Sequence, residues 1–502
     1  MERTTLKCYL KALSPVHVGC DEVYEPTAFV LDEKGQQLVL FDPMEFVAGL
    51  DDADRRKFSE ICSQGTVSSI LDIYKFMRNR PADGRTVSVC ADFIDHYRKT
   101  LSIPSGDSRK VQQELNSFSI PRTAFLAGDH RPYIPGSSLK GALRTAVLNG
   151  RSLRKPAVPV RGRGADRELE NALLDRSGIP DDPFRLIKVS DFHSVGEART
   201  RVIYAVNEKK SASAYQARGL PLLFEVVEAG TVFQGTITVE SPERGSKIRV
   251  PISMEELIDS CRKFFSKEKD RENSELARIG IPAGQDAEKT TGFVIRLGRH
   301  SGAECVTVEG YRSIRIMGKG GGGGKTLDHA TTLWVASDVR RPNTKQNFKP
   351  FGWLSLEPLS EATEKEFTEA DAAWRRSWQV LLGGQVKEAE RKAELMREAA
   401  RTEKRRVLEE EQQRQEEEKK RLAIEAMTPE ERFAVEIRDP QVSENRAVEV
   451  FNKLDGLTES GRRNVSVALK EFWEAKGKWK KKDCSAKQWI KVQKVKEILG
   501  EL

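Results

Sequence analysis

The first apolar pattern in the chain has period two. Between residues 4 and 18, Leu6, Cys8, Leu10 and Ala12 alternate with Lys7, Tyr9 and Lys11, as in a half-buried strand. Residues 28–31 and 38–41 flank Asp32-Glu33-Lys34-Gly35 and predict a hairpin. Asp42 as N-cap, Pro43 at the first helical position and Glu45 as the return partner of a capping box then predict a helix. Strand, hairpin and helix in that order suit an α+β sandwich of the RRM type. Residues 50–120 read as a mainly helical, polar insertion on the sheet, and a further helix opens at Tyr133-Ile134-Pro135-Gly136 and ends at Asn149-Gly150. Residues 151–183 read as a basic loop carrying Arg151, Arg154, Lys155, Arg161 and Arg163. A second strand-rich half follows, with strands over 222–227, 231–239, 292–297 and 313–317 and a helix over 254–265. The expected body is α+β, two RRM-like (ferredoxin-like) halves with insertions at 1–185 and 186–358.

The pattern changes after Pro358. Residues 361–426 are nearly all helix formers, and 409–421 contain no apolar residue. Glu410–Arg414, Glu416–Lys420 and Glu417–Arg421 are i,i+4 pairs, each worth about 0.2–0.5 kcal/mol. Without a continuous a/d seam this reads as one solvated charged helix, a linker over 361–427, and not as a coiled coil. Thr428-Pro429-Glu430-Glu431 starts a small helical module over 428–502. Its core candidates are Phe433, Phe451, Leu469, Phe472, Trp473, Trp479, Trp489, Ile490 and Leu499. Lysines around Trp479 suit RNA or an acidic partner, and equally a solvated loop.

Composition narrows the function classes. The 502 residues correspond to about three structural units. A net charge of +8 permits a nucleic-acid partner without requiring one. The cysteines form no Cys-x-x-Cys pair, which argues against a zinc ribbon or a disulfide framework. There is no signal-peptide layout and no long apolar run, so the expected setting is cytoplasmic with no membrane partner. No histidine falls in a His-Glu-x-x-His spacing, and neither a metal site nor a cofactor is expected. Asp92-x-x-Asp95-His96 reads as a solvated helix face. Lys319-Gly320-Gly321-Gly322-Gly323-Gly324-Lys325-Thr326 misses a phosphate-binding loop by one residue and reads as a loop between strands.

The stretch 135–144 is the most informative. Lys140 and Arg144 share a helix face at i,i+4 and repel each other, and Gly141 inside the helix costs about 1 kcal/mol relative to Ala. Both features fit an anion held by the helix N-terminus, Ser137, Ser138 and a side-chain-free Gly141. An exposed basic helix with a packing glycine is the other reading.

Pro-Gly-Ser-Ser-Leu-Lys-Gly-Ala-Leu-Arg at 135–144, preceded by Ser14-Pro15-Val16-His17-Val18-Gly19, resembles the RAMP superfamily of CRISPR proteins. Val189-Ser190-Asp191, residues 293–297 with Gly298-Arg299-His300-Ser301-Gly302, and Pro350-Phe351-Gly352-Trp353 follow in an order similar to the family of the fifth Csm subunit of type III-A complexes, over roughly the first 358 residues. The resemblance implies a non-catalytic subunit that caps the backbone filament at the 3′ end of the guide RNA (crRNA) and supports its maturation. It implies guide and target RNA, neighbouring backbone RAMP subunits and small subunits as partners. It also implies RNA contacts from His17, Gly19, Gly136, Ser137, Ser138, Lys140, Gly141, Arg144, Arg296 and His300, with Lys319 and Lys325 bordering the RNA from the Gly-rich loop. The loop after the first strand carries Asp21, Glu22 and Glu25 but lacks the pattern of the target-cutting backbone subunit, so these acids read as solvated. The alternative is a metal-independent RAMP endoribonuclease that processes repeat RNA with His17 as general acid or base.

Overall fold

The alternating stretch at the N-terminus becomes the strand Arg3–Ala12, with Cys8, Leu10 and Ala12 buried. This computed structural model describes residues 2–501 apart from 81, 83, 161, 163, 212–216, 218, 284–291 and 317–323, with backbone alone at 381–390, 392, 393, 396 and 400. Lys319, Arg161, Arg163 and most of the Gly-rich loop therefore lie outside the described residues. Arg3–Ala12 is a central strand, antiparallel to Val232–Glu240 on one side and Trp353–Pro358 on the other. Phe293–Arg296 pairs with Trp353–Pro358, Ile187–Val189 and Phe192–Ser194 pair with Val232–Glu240, and Tyr133–Ile134 forms the far edge. The helices Gly136–Ser152 and Met254–Arg278 bury Leu139, Leu143, Leu257 and Phe265 in one core with Cys8, Leu10 and Ala12.

A second sheet begins with the expected hairpin, Phe29–Asp32 against Gln37–Leu40. It continues through Arg85–Val89 to Thr200–Lys209, which also pairs with Leu222–Val227 and Thr332–Ser337. The helices Val67–Met77 and Ala91–Leu101 supply Leu71, Tyr74, Phe93 and Tyr97 to its core. These sheets are not the two halves drawn at 1–185 and 186–358, because each takes strands from both sides of that line. Arg85–Val89 turns only Val87 and Val89 inward and was hidden in a polar stretch. Thr200–Lys209 is buried on both faces over much of its length, so it has no alternation to read. Asp42 caps Pro43–Ala48 through the N–H groups of Met44 and Glu45, whereas the reciprocal box forms at Thr428 with Glu431.

The helix Met254–Arg278 runs 25 residues, well past Phe265, where its apolar spacing stops. Its continuation buries charge that is matched. Glu272 sits 2.6 Å from Arg296 and accepts a 2.6 Å hydrogen bond from the Trp353 indole. Glu268 pairs with Arg271 at 2.8 Å and Arg312 at 2.6 Å. Lys210, just past Thr200–Lys209, reaches Glu304 at 2.5 Å and Glu275 at 3.0 Å. Leu257, Cys261 and Phe265 belong to the first core, while Leu276 and the following Ile279 and Ile281 belong to the second. The charged stretch of this helix is the seam between the two cores.

The helix Glu361–Ala426 follows Trp353–Pro358. Its first turns are packed, with Glu364 on Lys7 at 2.7 Å and Phe367 against Tyr9 at 5.2 Å. Asp371 lies 2.5 Å from Arg131, whose guanidinium stands 3.8 Å over the Trp374 ring. Packing thus continues past residue 358, and the compact units are Met1–Gln385 and Val386–Leu502. In the second unit Pro429–Arg438, Glu444–Asn452, Glu459–Ala475 and Ala486–Leu499 surround Ala447, Val465, Leu469, Trp473 and Val492. Of the core expected there, Trp479 and Trp489 are half-buried and Ile490 is 65% exposed. No helix among the described residues is long and apolar enough to cross a membrane.

Two outcomes follow from the packing. Burial pushes the Glu304 carboxyl up, but the hydrogen bond and charge of Lys210, with the charge of Arg271, overcome this and hold it at about 2 instead of 4.5. The folded value lies below the unfolded one, so this stabilisation is complete above about pH 4.5 and is lost as pH falls towards 2. Glu304→Gln should cost about 3–5 kcal/mol at neutral pH and flatten the stability profile in that window. Urea midpoints measured across it check this, and an unchanged profile refutes it. Separately, a chain ending at 358 should melt several degrees below one ending at 385, because Arg131 loses Asp371 and Trp374. Equal melting temperatures would show that the first turns of the helix add nothing.

Candidate nucleic-acid interface

The helix Gly136–Ser152 begins where the backbone leaves no room for a side chain. A Cβ on Gly136 would stand 2.5 Å from the Val189 carbonyl oxygen and 2.6 Å from that of Ser190. The Gly136 N–H donates to the Asp191 carboxylate at 2.8 Å. An open anion site at this terminus is therefore corrected: the chain's own Asp191 occupies it. Ser137 is exposed and Ser138 half-exposed.

The exposed, mutually repelling pair expected at Lys140 and Arg144 is also not what forms. Both side chains are half-buried. The Lys140 ammonium donates to the Ile187 carbonyl at 2.8 Å, and burial followed by Lys188 lowers its pKa. Arg144 bridges Glu170 at 2.7 Å and Asp182 at 2.9 Å, and Arg176 shares both carboxylates. The reason lies in 151–183, which is not only a basic loop. It contains the helix Ala165–Leu174 and a turn at Asp182 that bring two acids onto Arg144.

Gly141 differs from Gly136. It is exposed, and apart from its own chain neighbours and helix backbone no heavy atom lies within 4 Å of the place a Cβ would take. Packing within the described residues gives no reason for a glycine there.

His17 is buried beneath Gly19. Its Nδ1 lies 2.7 Å from the Glu225 carbonyl, which can only accept, so Nδ1 carries the proton and Nε2 is left as a partnerless acceptor. Burial lowers its pKa. The Gly19 backbone is exposed above it, with Nε2 3.5 Å from the place of a Cβ. His17 and His300 flank the Phe224 ring at 4.8 and 5.0 Å. His300 lies in a left-handed turn at φ 65°, and burial, then the charges of Arg299 and His17, bring its pKa down to about 4. The Arg299 N–H donates to the His17 carbonyl at 2.8 Å. His17, Gly19 and His300 are thus brought together, with Gly19 exposed, His300 half-buried and His17 buried. From Gly19 the structure continues to the helix through Ala124, which donates to the Val18 carbonyl at 2.6 Å and accepts from the Tyr133 N–H at 3.1 Å.

Arg296 requires a correction. It is 4% exposed, paired with Glu272, bonded to the Phe351 carbonyl at 3.0 Å and set over Trp353 at 4.9 Å. Its charge neutralises a buried glutamate and does not face a ligand. Lys325 is exposed at the start of Lys325–Leu327, which pairs with Ile314–Ile316. Among the acids after the first strand, Glu22 lies 3.2 Å from Arg122. No cluster of three or more His, Cys, Asp or Glu able to hold a metal occurs among the described residues. Two features escaped the motif reading. Arg299 is exposed with its guanidinium 5.0 Å over Phe224, and Tyr133 stacks on His193 at 6.4 Å on the sheet edge.

Arg144→Ala should destabilise the fold by about 2 kcal/mol, between the values of exposed and buried ion pairs, because Arg176 alone then faces two acids. Lys140→Ala should cost less than about 1 kcal/mol. Denaturant titration of the two variants checks the order, and equal losses would contradict the four-membered cluster.

The family model of the RAMP superfamily matches residues 9–478. A Streptococcus thermophilus protein named CRISPR system Cms protein Csm5 is 27% identical over 320 residues, 61% of this chain and 80% of that protein. A Methanocaldococcus jannaschii protein of the same name is 26% identical over 195 residues, 37% of this chain but only 42% of that protein. In a solved Csm–crRNA–target RNA ternary complex of a type III-A CRISPR-Cas system, one chain matches with a TM-score of 0.45 and 21% identity, covering 70% of this chain and 100% of that one. The crystal structure of T. onnurineus Csm5 matches with a TM-score of 0.38 and 18% identity, covering 69% of this chain and 99% of that one. The glycine-gated helix at 136 and the buried histidine after the first strand thus sit in a sequence matched to one family model across most of its length, and the chain belongs to the RAMP superfamily.

Proposed function

We propose that this chain is an RNA-binding, non-catalytic subunit of a type III-A CRISPR effector complex. In this reading it caps the backbone filament at the 3′ end of the guide and supports crRNA maturation. Its partners are crRNA, target RNA and the neighbouring backbone and small subunits. Family membership and the Csm5 relatives support it, and the two-helix cover on a sheet with a central first strand supports an RRM-like reading of the body.

The observation that carries the RNA contact is Gly141. A mid-helix glycine costs about 1 kcal/mol relative to alanine, and nothing in the fold approaches it. Clearance there serves a backbone arriving from outside. The Lys140 ammonium lies one position away, tethered to a single carbonyl oxygen, and has protons left for a phosphate. Ser137 and Ser138 add small polar surface on the same helix, and Gly19 adds it on the segment linked to that helix through Ala124. His17 and His300 act from below, holding the segments that carry Gly19 and Arg299. Lys325 borders the strand more loosely.

One observation favours the endoribonuclease alternative: the partnerless, deprotonated Nε2 of neutral His17 has the lone pair that a general base needs. That atom is buried, with the Gly19 backbone over it.

Gly141→Ala separates a binding role from a folding role because the two effects have opposite signs. It should raise helix stability by up to about 1 kcal/mol while weakening guide-RNA binding several-fold. If binding is unchanged, the groove assignment fails. In the same assay, repeat RNA incubated with the chain in chelator should remain intact, and cleavage abolished by His17→Ala would favour the enzyme instead.

A further inference from the structure

The second unit, Val386–Leu502, shows an imbalance that the body does not explain. Between 476 and 496 the sequence has nine lysines against one acid, Asp483. Several cations elsewhere in the helical module are matched. Arg438 meets Glu471 at 2.7 Å, Arg446 meets Glu436 at 2.7 Å and Lys470 meets Glu501 at 2.6 Å. Even within the basic stretch Lys478 and Lys494 find Glu444 at 2.7 Å and Asp455 at 2.6 Å. Lys480, Lys481, Lys482, Lys487 and Lys491 have no carboxylate within ion-pair distance among the described residues.

Lys487 also stands where helix electrostatics disfavours it. Pro429–Arg438, Glu444–Asn452 and Glu459–Ala475 each carry acid in the first turn, as the macrodipole prefers. Ala486–Leu499 carries none and places Lys487 there instead, directly after the turn that holds Lys481 and Lys482. Lys487 and Lys491 are i,i+4 neighbours of like charge, which costs a helix a few tenths of a kcal/mol. Ile490, 65% exposed, lies on the same side one helical step away, and half-buried Trp489 adjoins it. Unmatched cations at the positive end of a helix, beside exposed apolar surface, are what a polyphosphate chain relieves.

We propose that the 480–491 face of the C-terminal unit is a second nucleic-acid site, separate from the groove at Gly141. It takes the phosphate backbone of a single strand without reading bases, and Ile490 packs against sugar or base. It does not depend on the reading given above for the body.

The test uses the full-length chain carrying Lys480→Gln, Lys481→Gln, Lys482→Gln, Lys487→Gln and Lys491→Gln together, with short unstructured RNA and DNA strands of one sequence as probes. Affinity should fall by about tenfold or more at moderate salt, and the slope of log affinity against log salt should become shallower by up to about 0.7 per lysine that meets a phosphate. Thermal melting should be unchanged or slightly improved, since unfavourable charges are removed. Equal losses on RNA and DNA support backbone recognition, and loss on RNA alone supports a backbone site that also reads the ribose hydroxyl. Unchanged affinity and slope would overturn the proposal. So would displacement of the strand by polyglutamate at equal charge, which marks a surface for an acidic protein. Gly141→Ala in parallel keeps the two sites distinct, because each variant leaves the other site intact.

Discussion

The body depends on a buried row of charges along one helix. Met254–Arg278 contributes apolar residues to the first core at its start and to the second at its end, and between them Glu268, Glu272 and Glu275 meet Arg312, Arg296 and Lys210. Each of these partners comes from a different segment. Arg296 ends a strand of the first sheet, Lys210 follows a strand of the second, and Arg312 precedes the small hairpin. A buried charge left alone costs several kcal/mol, whereas an apolar surface tolerates many neighbours. The network therefore specifies which segments meet at this seam. Apolar burial alone would specify only that something covers the sheets.

The same logic separates positioning from contact in the candidate interface. His17 ties its own segment to Leu222–Val227 through its ring and to Arg299 through its carbonyl, and none of this requires it to touch a ligand. Arg144 and Arg296 look like ligand cations in a motif but are spent within the protein. Open, unexplained features remain at glycines and at Lys140. A site of this kind recognises a chain by leaving room for it, with few dedicated charges.

Legibility in the sequence followed from how local each signal was. The first strand, the first hairpin, the helix at 136 and the capping box at Thr428 depend on neighbours in sequence, and they stand where periodicity and capping chemistry put them. Arg85–Val89, the latter half of Met254–Arg278 and the assignment of strands to sheets depend on partners tens or hundreds of residues away. Buried charge was the most misleading signal. Glu268, Lys269 and Glu272 fall beyond the helix expected over 254–265, because burial by pairing leaves no mark on a hydropathy pattern. The Asp191 cap was missed in the same way, since its helix begins 55 residues earlier.

The pairing of Arg3–Ala12 has a consequence for biosynthesis. A strand made first is flanked on one side by Val232–Glu240 and on the other by Trp353–Pro358, the last strand of the body. At translation speeds of about 5–20 residues per second, it waits roughly 20–70 s for that last neighbour to leave the ribosome. Throughout that interval a hydrophobic strand with unpaired amides is available to other nascent chains. Lys7 and Lys11 on its outward face are the kind of charge that discourages such intruders. Yield of intact protein should then be governed as much by how fast the ribosome reaches Pro358 as by the stability of what finally forms.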